Sequence, residues 1–131
     1  MRKIFSILFI SLLTTSLMAS GLARSFKEAA ALAAAEDKDR ATRIYAAIDL
    51  NDYYEQKYGP IFSSCLKSTD HADTSPLEFI LAIGADGRVL RIYIDHETNI
   101  YACARPMLEN GKFPHPPHPP YYMHVEMRFR K

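Results

Sequence analysis

The histidines of the C-terminal third are the side chains best suited to metal chemistry. His115 and His118 lie three residues apart in a run of prolines. Polyproline II has three residues per turn, so both imidazoles should project from one side. His124 follows on the predicted outward face of the last strand. Copper or zinc could bind such a set, but the spacing matches no standard zinc motif. We therefore favour a solvated proline-rich segment without a cofactor and keep the three histidines as the alternative, a metal-binding protein.

No combination of nucleophile and base in the sequence is typical of an enzyme. Asp70, His71 and Asp73 lie near two serines, Ser63 and Ser64, but no strand-to-helix nucleophile elbow surrounds either serine. The two cysteines are not in the Cys-x-x-Cys spacing of thiol–disulfide oxidoreductases. We therefore predict that the protein is not an enzyme.

Residues 1–23 have the organisation of a secretory signal peptide. Arg2 and Lys3 precede an apolar run of about 15 residues, which is shorter than the ~20 residues needed to cross a bilayer. Small residues then provide two cleavage sites, one after Gly21 and one after Ala23. No cysteine lies near either site, which argues against a lipid anchor. We predict export to the periplasm; an uncleaved signal is the alternative that would attach the chain to the membrane.

Export bears on the two cysteines, Cys65 and Cys103. An even number of cysteines in an oxidising compartment favours a disulfide. The alternative is two buried thiols that pack as small apolar residues. A domain of this size has a modest core, which a cross-link would stabilise.

The composition excludes one class of partner and leaves another open. The formal net charge is only +1, so no basic surface for nucleic acid is indicated. The length fits one domain after removal of the signal. The eight tyrosines are of a type enriched at protein interfaces, but they also suit ordinary packing at the margins of a sheet.

The first elements expected to position these residues are helices. Residues 24–50 are rich in alanine, the strongest helix former, and Ser25 is a suitable N-cap; charged residues at 36–40 should interrupt this segment. A second helix should follow from about residue 51. Gly59-Pro60 should end that helix and begin a short one carrying Cys65, because proline breaks a helix interior.

Alternating apolar residues then predict a β-hairpin and a terminal strand. The hairpin has strands at 77–83 and 90–94, with Leu90, Ile92 and Ile94 on the core face and Asp86-Gly87 in the turn. A helix bearing Cys103 and the proline-rich segment come next. In the terminal strand, apolar residues at every second position should face the core; these are Met123, Val125, Met127 and Phe129.

This order of elements resembles the C-terminal domain of TonB-type energy transducers, over about residues 53–131. The resembling residues are Cys65-Leu66, Asp86-Gly87-Arg88-Val89, Cys103 and Phe113-Pro114. The paired cysteines are most similar to the related AgmX/PglI-type branch, which supports the disulfide. No proline-rich linker or inner-membrane anchor of the transducer kind is visible, so we expect a stand-alone periplasmic version of the domain.

The resemblance implies an α+β fold for residues 51–131. We expect a small three-stranded antiparallel sheet packed on helices in the order α-β-β-α-β, with the helices on one face. The extra N-terminal helix of residues 24–50 precedes it.

The function implied is non-enzymatic protein binding in the periplasm. A partner would add a strand to the terminal strand, so main-chain groups give affinity and alternate side chains give selectivity. The partner-binding residues would be Tyr121, Tyr122, His124, Glu126 and Arg128. The partner would be an envelope protein, in the outer membrane or secreted. The alternative is an inhibitor or immunity protein that blocks a secreted enzyme with its proline-rich segment.

Overall fold

The fold is α+β, as predicted. The computed structural model of the protein describes residues 21–130, so the predicted signal peptide lies outside the described residues except for positions 21–23. The helices are α1 (Phe26–Glu36), α2 (Arg40–Ile44), a π-helical segment (Tyr45–Leu50), α3 (Asn51–Ser68) and α4 (Asn99–Glu109). The strands are β1 (Leu77–Ile83), β2 (Val89–Ile94) and β3 (Tyr121–Met127). No helix within residues 21–130 is long and apolar enough to cross a membrane.

The three strands form one antiparallel sheet in the order β2-β1-β3. β1 is central. Most of its side chains are buried, on both faces of the sheet. β3 pairs with β1 without interruption from Leu77 opposite Met127 to Ile83 opposite Tyr121. The terminal strand is therefore an edge strand of regular geometry.

The pairing of β1 with β2 contains a β-bulge that the sequence pattern did not reveal. Ala82 pairs with Arg91 and Ile83 pairs with Val89, so Leu90 is an extra residue in β2. A bulge interrupts the alternation of side chains between the two faces. Leu90 is consequently 51% exposed, and the prediction that it shares the core face with Ile92 was wrong.

One face of the sheet packs on α3 and α4, which are joined by a disulfide. Cys65 of α3 and Cys103 of α4 are bonded, with their Cα atoms 5.8 Å apart and a sequence separation of 38. The predicted disulfide is thus confirmed. Closing a loop of this length stabilises a domain by about 3–4 kcal/mol through the entropy of the unfolded chain. Large rings such as Phe62 and Phe79, whose centroids lie 6.0 Å apart, fill the space beneath.

The helix that was expected to break at Gly59-Pro60 is continuous from Asn51 to Ser68. Proline removes one hydrogen bond from a helix interior. Gly59 and Pro60 are both exposed, while Tyr58 and Phe62 on the opposite side are buried in the core. Packing on that side maintains the helix across the proline. The predicted interruption at 36–40 is confirmed, since α1 ends at Glu36 and α2 begins at Arg40.

The opposite face of the sheet is covered by α1, the extra N-terminal helix, whose placement the sequence left open. Ala29 and Ala33 of α1 are buried against a cluster that includes Ile80, Tyr93 and Tyr122. Alanine side chains allow a helix axis to approach a sheet closely. The apolar stripe of α1 is made of small residues, so its sequence lacks the strong hydrophobic periodicity that usually identifies a buried helix face.

Candidate functional site: the outer edge of β3

The outer side of β3 is a regular main-chain edge with no strand beside it among the described residues. Seven consecutive residues of β3 pair with β1 on the inner side. The other edge of the sheet, β2, is interrupted by the bulge at Leu90. Since bulges hinder the pairing of an edge with another strand, β3 is the edge better suited to accept one.

The orientation of the β3 main chain follows from its contact with Glu36. The backbone N–H of Tyr122 faces the Glu36 carboxylate of α1 and lowers its pKa, which indicates that this N–H points outward from the sheet. Residues of an antiparallel strand alternate in the direction of their main-chain groups. The N–H and C=O groups of His124 and Glu126 therefore also point outward, where an added strand would bind them.

A groove runs along the first half of this edge. It has a volume of about 320 Å³, and its walls come from the end of α1 and from the π-helical segment with the start of α3. Its lining includes the small residues Ala33 and Ala34 of α1 and Ala46 of the π-helical segment. Tyr122 and His124 of β3 also line it.

The two tyrosines predicted to bind a partner have buried side chains. The Tyr121 ring packs edge-on against Tyr45, with the centroids 5.0 Å apart, and burial raises the pKa of Tyr121 to about 12. The Tyr122 hydroxyl accepts a hydrogen bond from the N–H of Ala23. These two residues therefore offer a partner little side-chain surface. Glu126 and Arg128, in contrast, are exposed.

His124 lies between two carboxylates on the face that α1 covers only in part. Glu78 and Glu126 are directly opposite each other on β1 and β3, an arrangement in which like charges repel. The Nε2 atom of His124 is 2.6 Å from Glu78 Oε1 and 3.9 Å from Glu126 Oε1. The three side chains have ligand types and spacing, all within 4.8 Å, that a divalent cation could use. The imidazole lies between the two carboxylates and is closer to Glu78.

The other histidines proposed as metal ligands lie elsewhere. The Nε2 atom of His118 lies 3.2 Å from Asp39 Oδ2 in the α1–α2 connection, and His115 is exposed in the proline-rich segment. Among residues 21–130, the group with metal-ligand spacing contains His124 but neither His115 nor His118. The structure therefore does not assemble the three histidines into one site.

Two residues of this site were missed in the sequence, Glu36 and Glu78. Glu36 reaches β3 only because α1 covers the second face of the sheet, and Glu78 meets His124 only in the observed β1–β3 register. Neither relation leaves a signal in the spacing of residues along the chain. A correct placement of α1 would have been needed to find Glu36.

Comparisons of the chain with protein-family models, curated proteins and solved structures find no match. The resemblance to TonB-type C-terminal domains stays a prediction. The function must therefore be argued from the geometry of the β3 edge.

Proposed function

We propose that this protein is an exported, non-enzymatic binding module that captures an extended segment of an envelope protein by strand addition on β3. The observation that carries the proposal is the regular, unpaired outer edge of β3, with the main-chain groups of His124 and Glu126 directed outward. Strand addition to such an edge supplies affinity through main-chain hydrogen bonds. The periplasm remains the predicted location of this encounter.

The flanking side chains give the edge a chemical preference. An added strand would place a side chain opposite Glu126, on the same face as Glu78 and His124. Opposite charges stabilise directly opposed cross-strand pairs. A partner segment with a lysine or arginine at this position would also relieve the repulsion between Glu78 and Glu126. We therefore expect the bound segment to be extended and to carry a basic residue opposite Glu126, with further basic residues at most at every second position.

The inhibitor alternative has weaker support from the geometry. An inserted element should project freely from the body of the protein. Here the proline-rich segment is held by several contacts: Tyr45 donates a hydrogen bond to the Pro114 carbonyl at 2.8 Å, Phe113 is buried, and His118 pairs with Asp39.

Glu126→Pro is the direct test of strand addition. The substitution removes an outward main-chain donor and keeps the hydrogen bonds between β3 and β1. The immobilised mature domain would be incubated with envelope extract, and the captured proteins would be quantified by mass spectrometry. We expect the proteins that the unmodified domain enriches to be lost with Glu126→Pro.

Two control variants separate the possible causes of such a loss. Arg130→Pro introduces proline at an exposed position beyond the end of β3 and should retain capture. Glu126→Ala keeps the main-chain donor but removes the negative charge. It should therefore weaken capture only if the partner places a basic side chain opposite this position. A Glu126→Pro domain that melts normally and captures the same proteins at full strength would refute strand addition on β3.

A further inference from the structure

Leu22 and Ala23, which precede the N-terminal cap of α1, are part of the folded domain. Ala23 has no exposed surface and belongs to the cluster between α1 and the sheet, against which Leu22 also packs. Its N–H donates a hydrogen bond to the Tyr122 hydroxyl at 3.0 Å, and its carbonyl accepts one from the Tyr93 hydroxyl at 2.6 Å. The main chain of Ala23 is thus held by side chains from two different strands, β3 and β2.

A basic side chain completes this arrangement. The Arg91 guanidinium lies 3.5 Å from the Ala23 carbonyl and 5.1 Å from the centroid of the Tyr93 ring. Buried hydroxyl and carbonyl groups cost free energy when they lose their partners. A chain without Ala23 would leave the hydroxyls of Tyr93 and Tyr122 without these partners and would remove a buried side chain from the cluster.

The sequence alone does not choose between the two signal cleavage sites, after Gly21 and after Ala23, because both have small residues at the required positions. The structure distinguishes them. Gly21 is exposed, whereas Ala23 is a core residue. Residues that are removed during export cannot contribute to the core of the mature domain.

We propose that the signal is cleaved between Gly21 and Leu22, and that Leu22–Ala23 remain in the mature protein as an anchor for α1. In this reaction water adds across the Gly21–Leu22 peptide bond, which leaves a carboxylate on Gly21 and an ammonium group on Leu22. The inference rests on the export that the proposed function assumes, and is independent of strand addition.

N-terminal sequencing with intact-mass measurement of the protein purified from a Gram-negative periplasm tests the cleavage site. The expected first residue is Leu22. A mature chain that begins at Arg24 overturns the inference and leaves export standing, as does any other processed N-terminus. An uncleaved chain overturns both the inference and the export part of the proposed function.

A stability comparison tests the anchor itself. Chains that begin at Leu22 and at Arg24 would be released from a fusion protein by a specific protease, and their melting temperatures compared. The chain from Arg24 should melt about 5–10 °C lower, the shift expected when a domain of this size loses one or two buried hydrogen bonds. Equal melting temperatures would overturn the inference.

Tyr93→Phe provides the matched control, because it removes only the hydroxyl that binds the Ala23 carbonyl. It should lower the melting temperature of the Leu22 chain by several degrees and have little further effect on the Arg24 chain, as a double-mutant cycle requires for coupled groups. Equal losses in the two chains would show that the hydroxyl acts independently of the anchor and would contradict the proposal.

Discussion

The two faces of the sheet are covered by different physical means. On one face, α3 and α4 contribute large aromatic and aliphatic side chains and are cross-linked by the Cys65–Cys103 disulfide. On the other, α1 contributes alanines and is held in place by the hydrogen bonds of Ala23. The first face derives its stability from buried area and a covalent bond, and the second from close approach and a few specific contacts.

This difference bears on the proposed site because α1 also forms one wall of the groove beside β3. The wall opposite comes from the π-helical segment and the first residue of α3. The two walls of the groove are thus held by different kinds of contact. Local stability is expected to be lowest where buried apolar contacts are few, and here that region is α1.

The largest expected effect comes from breaking the strongly held face with Cys103→Ser. Loss of the disulfide should lower the free energy of unfolding by about 3–4 kcal/mol, because the unfolded chain regains the entropy of the open loop. Denaturant unfolding of the variant and of the unmodified protein measures the difference.

Ala102→Ser, at the adjacent exposed position of α4, is the control and should change stability little. Thiol titration of the unfolded, unreduced protein should find no free cysteine. Two free thiols, or a Cys103→Ser variant within 1 kcal/mol of the original, would contradict the role assigned to the cross-link.

The weakly held face should respond to an increase in volume. Ala29→Leu inserts a larger side chain between α1 and the sheet, where Ala29 has no exposed surface. Overpacking of this kind costs about 1–3 kcal/mol, so we expect a reduction of that size in the free energy of unfolding. Ala31→Leu makes the same change on the exposed side of α1 and should alter stability by less than about 0.5 kcal/mol. Equal effects of the two variants would show that α1 does not pack as described.

The two faces also differ in how much of them could be predicted from the sequence. The hairpin, the α4 helix and the Cys65–Cys103 pair were predicted, because apolar alternation and an even cysteine count are local signals. The continuity of α3 through Pro60 was not, since tertiary packing there outweighs the local preference of proline.

Alanine gives almost no hydrophobic periodicity, so the burial of α1 was also missed. The β3 edge was predicted as the binding site, and the structure places it at the margin of the sheet. Its tyrosines turned out to face inward because α1 and the π-helical segment cover them, a relation between distant parts of the chain. Bulges such as that at Leu90 likewise depend on the register with a partner strand.

Removing a single hydroxyl on the strongly held face should change the free energy of unfolding by a smaller amount. The change should be a gain at one tyrosine and a loss at another. The Tyr58 hydroxyl is buried without a hydrogen-bond partner among the described protein atoms. Tyr45, in contrast, donates to the Pro114 carbonyl at 2.8 Å. Tyr58→Phe should therefore raise the free energy of unfolding by about 1 kcal/mol, and Tyr45→Phe should lower it by about 1 kcal/mol. Denaturant unfolding of both variants measures the signs; a loss of stability in both would show that Tyr58 has a partner.

The smallest expected effect is a dependence of stability on pH. It arises from Glu36, which lies where α1 meets β3. Burial raises the pKa of this carboxyl, and the Tyr122 N–H that faces it offsets that rise only in part. The folded protein therefore holds the Glu36 proton more tightly than the unfolded chain does. The resulting stabilisation is fully present below the unfolded pKa, about 4.3, and is lost as the pH rises through the higher folded pKa.

Glu36→Gln removes this titration, so the unmodified protein should lose stability relative to the variant as the pH is raised from about 4 to 7. Thermal melts of both proteins across that range measure the difference, with Glu55→Gln at an exposed position of α3 as the control for a change in net charge. A constant difference between the Glu36→Gln variant and the unmodified protein would mean that the carboxyl is as well solvated in the folded protein as in the unfolded chain. In that case α1 would not lie close enough to β3 to close the groove wall, and the weakly held face would be open at its outer margin.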